Sequence, residues 1–152
     1  MAEELLDLPA AGRFAAGAHR FPIRVYFEDT DLSGVVYHAN YLRFMERARS
    51  DMLAAAGIDQ HQAWAAGAGV FAITDLAIRY RRPARLQDAL LVESRVTAAR
   101  GASCAIHQRV MRGEELLADA DVTAAFLSPD GRPRRQPAAW VAAFRRLQGE
   151  FA

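Results

Sequence analysis

Residues 26–49 read Tyr26-Phe27-Glu28-Asp29-Thr30-Asp31-Leu32-Ser33-Gly34-Val35-Val36-Tyr37-His38-Ala39-Asn40-Tyr41-Leu42-Arg43-Phe44-Met45-Glu46-Arg47-Ala48-Arg49. The pattern changes part-way along. Residues 28–39 are polar and contain a glycine, so they are expected to form a loop. From about Asn40 to Ala56 the apolar residues take up helical spacing. Tyr41, Met45, Ala48, Met52 and Ala56 make one stripe with Phe44 beside it, and Arg43, Arg47, Ser50 and Ala54 fall opposite. Gly57 supplies the stop. The stretch therefore predicts one long amphipathic helix preceded by a polar loop.

The flanking segments have a period of two. Upstream, Phe21, Ile23, Val25 and Phe27 share one face of an expected strand over residues 20–27, with Pro22 marking a sheet edge. Downstream, residues 58–69 form an irregular connection. Phe71 and Ile73 then share a face, while Leu76, Ile78 and Tyr80 continue in the opposite parity, so a β-bulge is expected at Thr74-Asp75. Three more strands follow, over about residues 90–98, 102–111 and 116–127, separated by turns at Arg100-Gly101 and Arg112-Gly113-Glu114. Trp140, Phe144 and Leu147 mark a short C-terminal helix. Residues 1–19 show little periodicity and are expected to be a flexible N-terminal extension. Residues 20–152 form a single domain. The element order gives an α+β fold with an antiparallel meander of five strands curved around one long helix. One helix covers only one face of such a sheet, so self-association is expected.

Bulk properties exclude several function classes. The 152 residues carry a formal net charge of +1, too small a bias for a nucleic-acid or anionic-membrane binder. No window approaches the ~20 apolar residues of a membrane span, and the acidic start is unlike a signal peptide, so a cytoplasmic location without membrane insertion is expected. The single Cys104 excludes an internal disulfide. His19, His38, His61 and His107 are scattered without ligand spacing, so no metal is expected. There is no phosphate-binding glycine loop and no Gly-x-Ser-x-Gly elbow.

The chemistry is concentrated where the loop meets the helix. A helix start offers unpaired N–H groups and the positive end of a macrodipole. Directed at a carbonyl, they would stabilise a developing oxyanion. A carboxylate on the preceding loop could attack that carbonyl or activate water. The same residues also serve as ordinary turn and cap residues, so spacing alone leaves both readings open.

Asp29-Thr30-Asp31, Gly34-Val35-Val36-Tyr37-His38-Ala39-Asn40-Tyr41 and Phe44-Met45-Glu46-Arg47-Ala48-Arg49 resemble the signature of the 4-hydroxybenzoyl-CoA thioesterase branch of the hot-dog superfamily, and within it the Tol–Pal system-associated acyl-CoA thioesterases. The likeness continues through Tyr80, Pro83-Ala84-Arg85-Leu86 and Arg100-Gly101-Ala102-Ser103 and spans roughly residues 20–145. It implies a hot-dog fold and hydrolysis of acyl-CoA to free acid and CoA. Asp31 would be nucleophile or general base, and the His38 backbone N–H would polarise the carbonyl, with the His38 side chain as a further catalytic group. Tyr37, Arg100 and Ser103 would contact substrate, Arg100 at the phosphates of CoA. It implies no separate cofactor, since CoA is part of the substrate. It also implies a homodimer or homotetramer with sites at the subunit interface, and an acyl carrier protein as a further partner. Asp29 is expected to shape the loop, and Glu46 and Arg49 to form an ion pair or an interface contact. Two other readings stand beside it: a non-enzymatic adaptor binding acyl carriers or lipid-synthesis enzymes near the cell envelope, and a hot-dog dehydratase.

Overall fold

The expected helix and meander both form, and small side chains let them approach each other. The computed structural model describes Glu4 and residues 6–151. Residues 1–3 and 5, part of the expected N-terminal extension, and residue 152 lie outside the described residues. The elements are β1 (Arg13–Ala15), β2 (Ala18–Arg24), α1 (His38–Ala55), α2 (Gln60–Ala65), β3 (Val70–Tyr80), β4 (Ala89–Ala99), β5 (Ser103–Arg112), β6 (Glu115–Leu127) and α3 (Ala138–Phe151). The strands form one antiparallel sheet in the order β1-β2-β4-β5-β6-β3.

Helix α1 lies on one face of this sheet. Tyr41, Phe44, Met45 and Ala48 pack against Leu90 and Val92 of β4, Val110 of β5 and Ala118, Ala120 and Val122 of β6 in one buried cluster. Alanines at alternate positions of β6 leave room for the helix, and larger residues there would push it away. A second cluster closes the other end of the helix. There Met52 and Leu53 meet Val96, Cys104, Ile106 and the α3 residues Phe144 and Leu147. A polar seam ties the helix to the sheet. Gln108 donates to the Met45 carbonyl and to Ser94 Oγ, both at 3.0 Å, and accepts from Arg49 at 2.8 Å. Its amide is thereby satisfied in a fully buried position.

Four expectations are corrected. The sheet has six strands, because β1 forms inside the segment expected to be a flexible extension. Ala16 and Gly17 both take positive φ, the geometry of a tight hairpin turn, and so return the chain from β1 into β2. This part of the N-terminal segment is held down. Asp51 of α1 accepts from Gly12 N–H at 2.9 Å and bonds the fully buried His19 at 2.7 Å. The second correction concerns Phe27, which is 83% exposed. The strand ends at Arg24, and a single 3₁₀ turn over Phe27–Asp29 breaks the alternation that placed Phe27 inside. Third, the connection expected to be irregular contains α2, whose N-cap Asp59 accepts from Gln62 N–H. Fourth, α1 starts at His38, two residues earlier than its apolar stripe indicates. The bulge in β3 falls where the parity slips, between Ile73 and Asp75.

Candidate active site

The loop before α1 is a fixed structure. Asp29 organises it: its carboxylate accepts from Tyr26 N–H at 2.8 Å, and its carbonyl accepts from Tyr37 N–H and from the buried Asn40 side chain, both at 2.9 Å. Asp31 and Gly34 close a turn inside this frame. Gly34 N–H donates to the Asp31 carbonyl, and Asp31 N–H donates to the Val35 carbonyl, each at 3.0 Å. Gly34 has φ +81°, which a side chain would resist. The far arm of the loop is laid along residues 84–85. Val36 N–H donates to the Ala84 carbonyl at 2.8 Å, and Val35 bridges Arg85. Ala84 N–H in turn donates to the Tyr41 hydroxyl at 2.9 Å.

Asp31 is exposed at the tip of this frame. The hydroxyl and the backbone N–H of Ser33 both donate to its Oδ1, while Oδ2 accepts no bond from the described residues. These Ser33 bonds, with a smaller contribution from nearby His38, hold the carboxyl below its ordinary value of 3.8. Asp31 is therefore an anion with one oxygen anchored and one free.

The start of α1 is also open. Its N-cap residue is Tyr37, which makes no side-chain cap, and the first turn carries no acidic residue. Asn40 N–H bonds the Tyr37 carbonyl, whereas the N–H groups of His38 and Ala39 meet no acceptor among the described residues. A helix start left this way presents its positive end to whatever lies in front of it. In front lies an open groove of about 260 Å³ lined by Val36, His38, Tyr41, Tyr80, Arg82 and Pro83, with Arg81 at its rim. Tyr80, at the end of β3, donates its hydroxyl to the His38 carbonyl at 3.0 Å, and its ring stands edge-on to the His38 ring at 6.1 Å. The Tyr37 and His38 rings lie 4.5 Å apart.

Of the five expected site residues, the fold brings Asp31, Tyr37 and His38 together. It does not bring Arg100 and Ser103 to them within one chain. Ser103 opens β5 opposite Ala125, whereas the Tyr80 end of the sheet lies level with Ala118 and Val110. Seven residues of β5 separate the two levels, about 23 Å at ~3.3 Å per residue. Arg100 and Ser103 are joined to each other in the β4–β5 turn, where Arg100 N–H donates to the Ser103 carbonyl at 2.8 Å. The basic run upstream is partly neutralised: Arg81 pairs with Asp119 at 2.8 Å and Arg82 with Glu115 at 3.3 Å. Glu46 and Arg49 do form an ion pair, and the Arg49 side chain is only 9% exposed. Sequence reasoning did not assign Tyr80 or Asn40 to the site. Tyr80 carried one signal, the parity change that turns it away from Phe71 and Ile73. Asn40 carried none. Among the described residues no group of three His, Cys, Asp or Glu side chains gathers as a metal would need.

Residues 25–146 match the family model of the thioesterase-like superfamily. The chain belongs to this superfamily. This thioesterase-like chain is 41% identical over 129 residues to the acyl-CoA thioester hydrolase YbgC of Escherichia coli O157:H7, covering 84% of this chain and 96% of that protein. It is 40% identical over 129 residues to the acyl-CoA thioesterase YbgC of Haemophilus influenzae, covering 84% and 95%. Among solved structures, a probable thioesterase from Bartonella henselae superposes with a TM-score of 0.74 at 38% identity, over 79% of this chain and 99% of that one. A 1,4-dihydroxy-2-naphthoyl-CoA thioesterase from Synechocystis has a TM-score of 0.78 at 24% identity, over 84% and 96%, a likeness of fold. The thioesterase-like fold is thus the hot-dog arrangement, here with six strands, one long helix and a C-terminal helix.

Proposed function

We infer that this protein hydrolyses acyl-CoA thioesters at the start of α1. The observation that carries this reading is the pairing of two unfilled groups: the free Oδ2 of Asp31 and the uncapped N–H groups of His38 and Ala39. The thioester carbonyl oxygen sits on the N–H groups, which stabilise the charge it gains as the carbon becomes tetrahedral. Asp31 Oδ2 either attacks the carbonyl carbon or takes the proton of a water that attacks it. The C–S bond then breaks, the CoA sulfur leaves as thiolate and takes up a proton, and the acyl group leaves as the free acid. Tyr80 fixes the His38 carbonyl and so holds the first turn in place. The named activities of the YbgC relatives, each aligned over 84% of this chain, support the same reaction.

The reaction needs no cofactor, because CoA enters as part of the substrate; an acyl carrier protein is a second carrier for the same thioester. Arg100 and Ser103 reach CoA from another subunit, which the 23 Å separation at ~3.3 Å per residue requires if they contact substrate at all. The long free edge of β3 supports a homodimer, with pairing of dimers into a homotetramer. A cytoplasmic location beside the Tol–Pal envelope system follows the motif resemblance, and no helix among the described residues is long and apolar enough to cross a membrane.

Release of free thiol from a panel of acyl-CoAs tests the reading. Asp31→Asn keeps the shape but removes the charge, and kcat/KM is expected to fall by at least about 100-fold, the lower range for loss of acid–base catalysis. Full activity in that variant would end the assignment. A single turnover in H₂¹⁸O separates the two roles of Asp31, since label appears in the protein carboxylate only if Asp31 is the nucleophile.

A further inference from the structure

A second cavity, of about 80 Å³, lies between the C-terminal half of α1, the sheet and α3. Glu46, Ser50 and the partly exposed edge residue Ile73 stand at its mouth, and the buried Cys104 and Phe144 form its floor. At ~10–15 Å³ for each water-sized group, it has room for only about five to eight such groups. Arg49 forms one wall. The guanidinium has five N–H groups, of which one reaches Gln108 Oε1 and one the Glu46 carboxylate. The others find no acceptor among the described residues, although this side chain is nine-tenths buried. Burial pushes the Cys104 thiol up to about 11, so the floor is uncharged.

Within one chain this cavity is out of reach of the proposed catalytic groups. Ile73 and Tyr80 are seven residues apart along β3, about 23 Å at ~3.3 Å per residue. A second copy changes that. β3 has β6 on one side only, and its free edge exposes Val70, Ile73, Leu76 and Tyr80. A two-fold contact between identical edge strands is necessarily antiparallel. A register centred on Leu76 sets Tyr80 of one copy beside residue 72 of the other, and brings the cavity of each copy to the groove of its neighbour.

We propose that the cavity beside Arg49 receives the end of the acyl group whose thioester is held by Asp31 and His38 of the opposite copy, and that Arg49 selects short acyl groups ending in a neutral hydrogen-bond acceptor. This rests on the thioesterase site inferred above. A keto or hydroxyl oxygen satisfies the spare Arg49 donors. A carboxylate would also meet Glu46 at the mouth and be repelled. A long chain does not fit the volume.

The test uses a matched pair, 4-oxopentanoyl-CoA and 4-methylpentanoyl-CoA, which differ only by oxygen in place of a methyl group, with propanoyl-CoA as reference. The wild-type protein is expected to favour the keto substrate in kcat/KM by about tenfold or more, as sites built to donate hydrogen bonds do. Arg49→Met is expected to abolish the preference. An equal rate for both substrates, or a preference kept in Arg49→Met, overturns the proposal. If Arg49→Met does not fold, mixed dimers decide. A chain carrying Asp31→Asn and a chain carrying Ser50→Trp, which plugs the mouth, each fail alone on 4-oxopentanoyl-CoA. Combined, they regain one working site if the cavity serves the opposite copy, and none if it does not. Absence of hydrolysis even of propanoyl-CoA by the wild-type protein would instead remove the underlying function.

Discussion

At the residue scale, Asp31 shows how a short turn sets the state of a reactive group. Ser33 is two positions away, so its hydroxyl and N–H reach Oδ1 without help from the rest of the fold. Hydrogen bonds to the charged form lower a carboxyl pKa. The sign of the pH effect follows: the working form is the carboxylate, so activity holds above the depressed pKa and is lost as pH falls through it. Ser33→Ala removes the hydroxyl donor and leaves the N–H. The acid limb of the kcat/KM profile is then expected to move up toward the ordinary value of 3.8. A profile identical to wild type would show that Asp31 is not the group titrating. Asp29, two residues earlier, has a different task because its oxygens are all directed inward at the loop backbone.

At the element scale, α1 does two jobs at its two faces and its start. Its buried stripe anchors it, and its first turn stays open. Phe44 is 1% exposed and lies in the main cluster, so Phe44→Ala leaves a cavity. The expected loss is about 3–5 kcal/mol in the denaturant-unfolding free energy. A loss below about 1 kcal/mol would mean that the helix and sheet collapse onto the space. The N-terminal hairpin is clamped to the same helix at Gly12. A Cβ there would come within 2.6 Å of the Arg20 carbonyl and 2.7 Å of Asp51. Gly12→Ala is expected to cost about 1–3 kcal/mol, the range for overpacking. If thermal unfolding is unchanged, β1 is not held in the way described.

For the whole molecule, the two edges of the sheet differ. The β1 edge is three residues long and offers little for another strand to pair with. The β3 edge is eleven residues long, with exposed apolar side chains along it. A strand of this kind left open would be an aggregation hazard, and pairing with a second copy removes the hazard. Leu76→Lys places a charge at the centre of that edge. Sedimentation is expected to show monomer, and kcat/KM for short acyl-CoAs is expected to fall by at least about tenfold, or ~1.4 kcal/mol of transition-state stabilisation. A fully active monomer would show that each groove works alone.

Local rules accounted for much of this protein before any contact was known. The stripe of Tyr41, Met45, Ala48 and Met52 located α1, and the parity slip located the bulge in β3, because side-chain period follows directly from backbone geometry. The motif from Asp29 to Arg49 marked the candidate site through its resemblance to a known family, and Asp31, Tyr37 and His38 stand together because the same short segment carries them. Other features depended on distant partners. β1 forms because Asp51, far along the chain, meets Gly12 and His19. Phe27 is exposed because the loop turns away, which alternation cannot foresee. Arg100 and Ser103 looked like members of one site with Asp31, yet the β4–β5 turn carries them to the opposite end of the sheet. Sequence alone thus determined the elements and the reactive loop, which arise from interactions a few residues long. The separation of Arg100 from Asp31, the burial of Arg49 beside a cavity and the free edge of β3 were decided only by tertiary structure, because each depends on which strands pair and which are left without a neighbour.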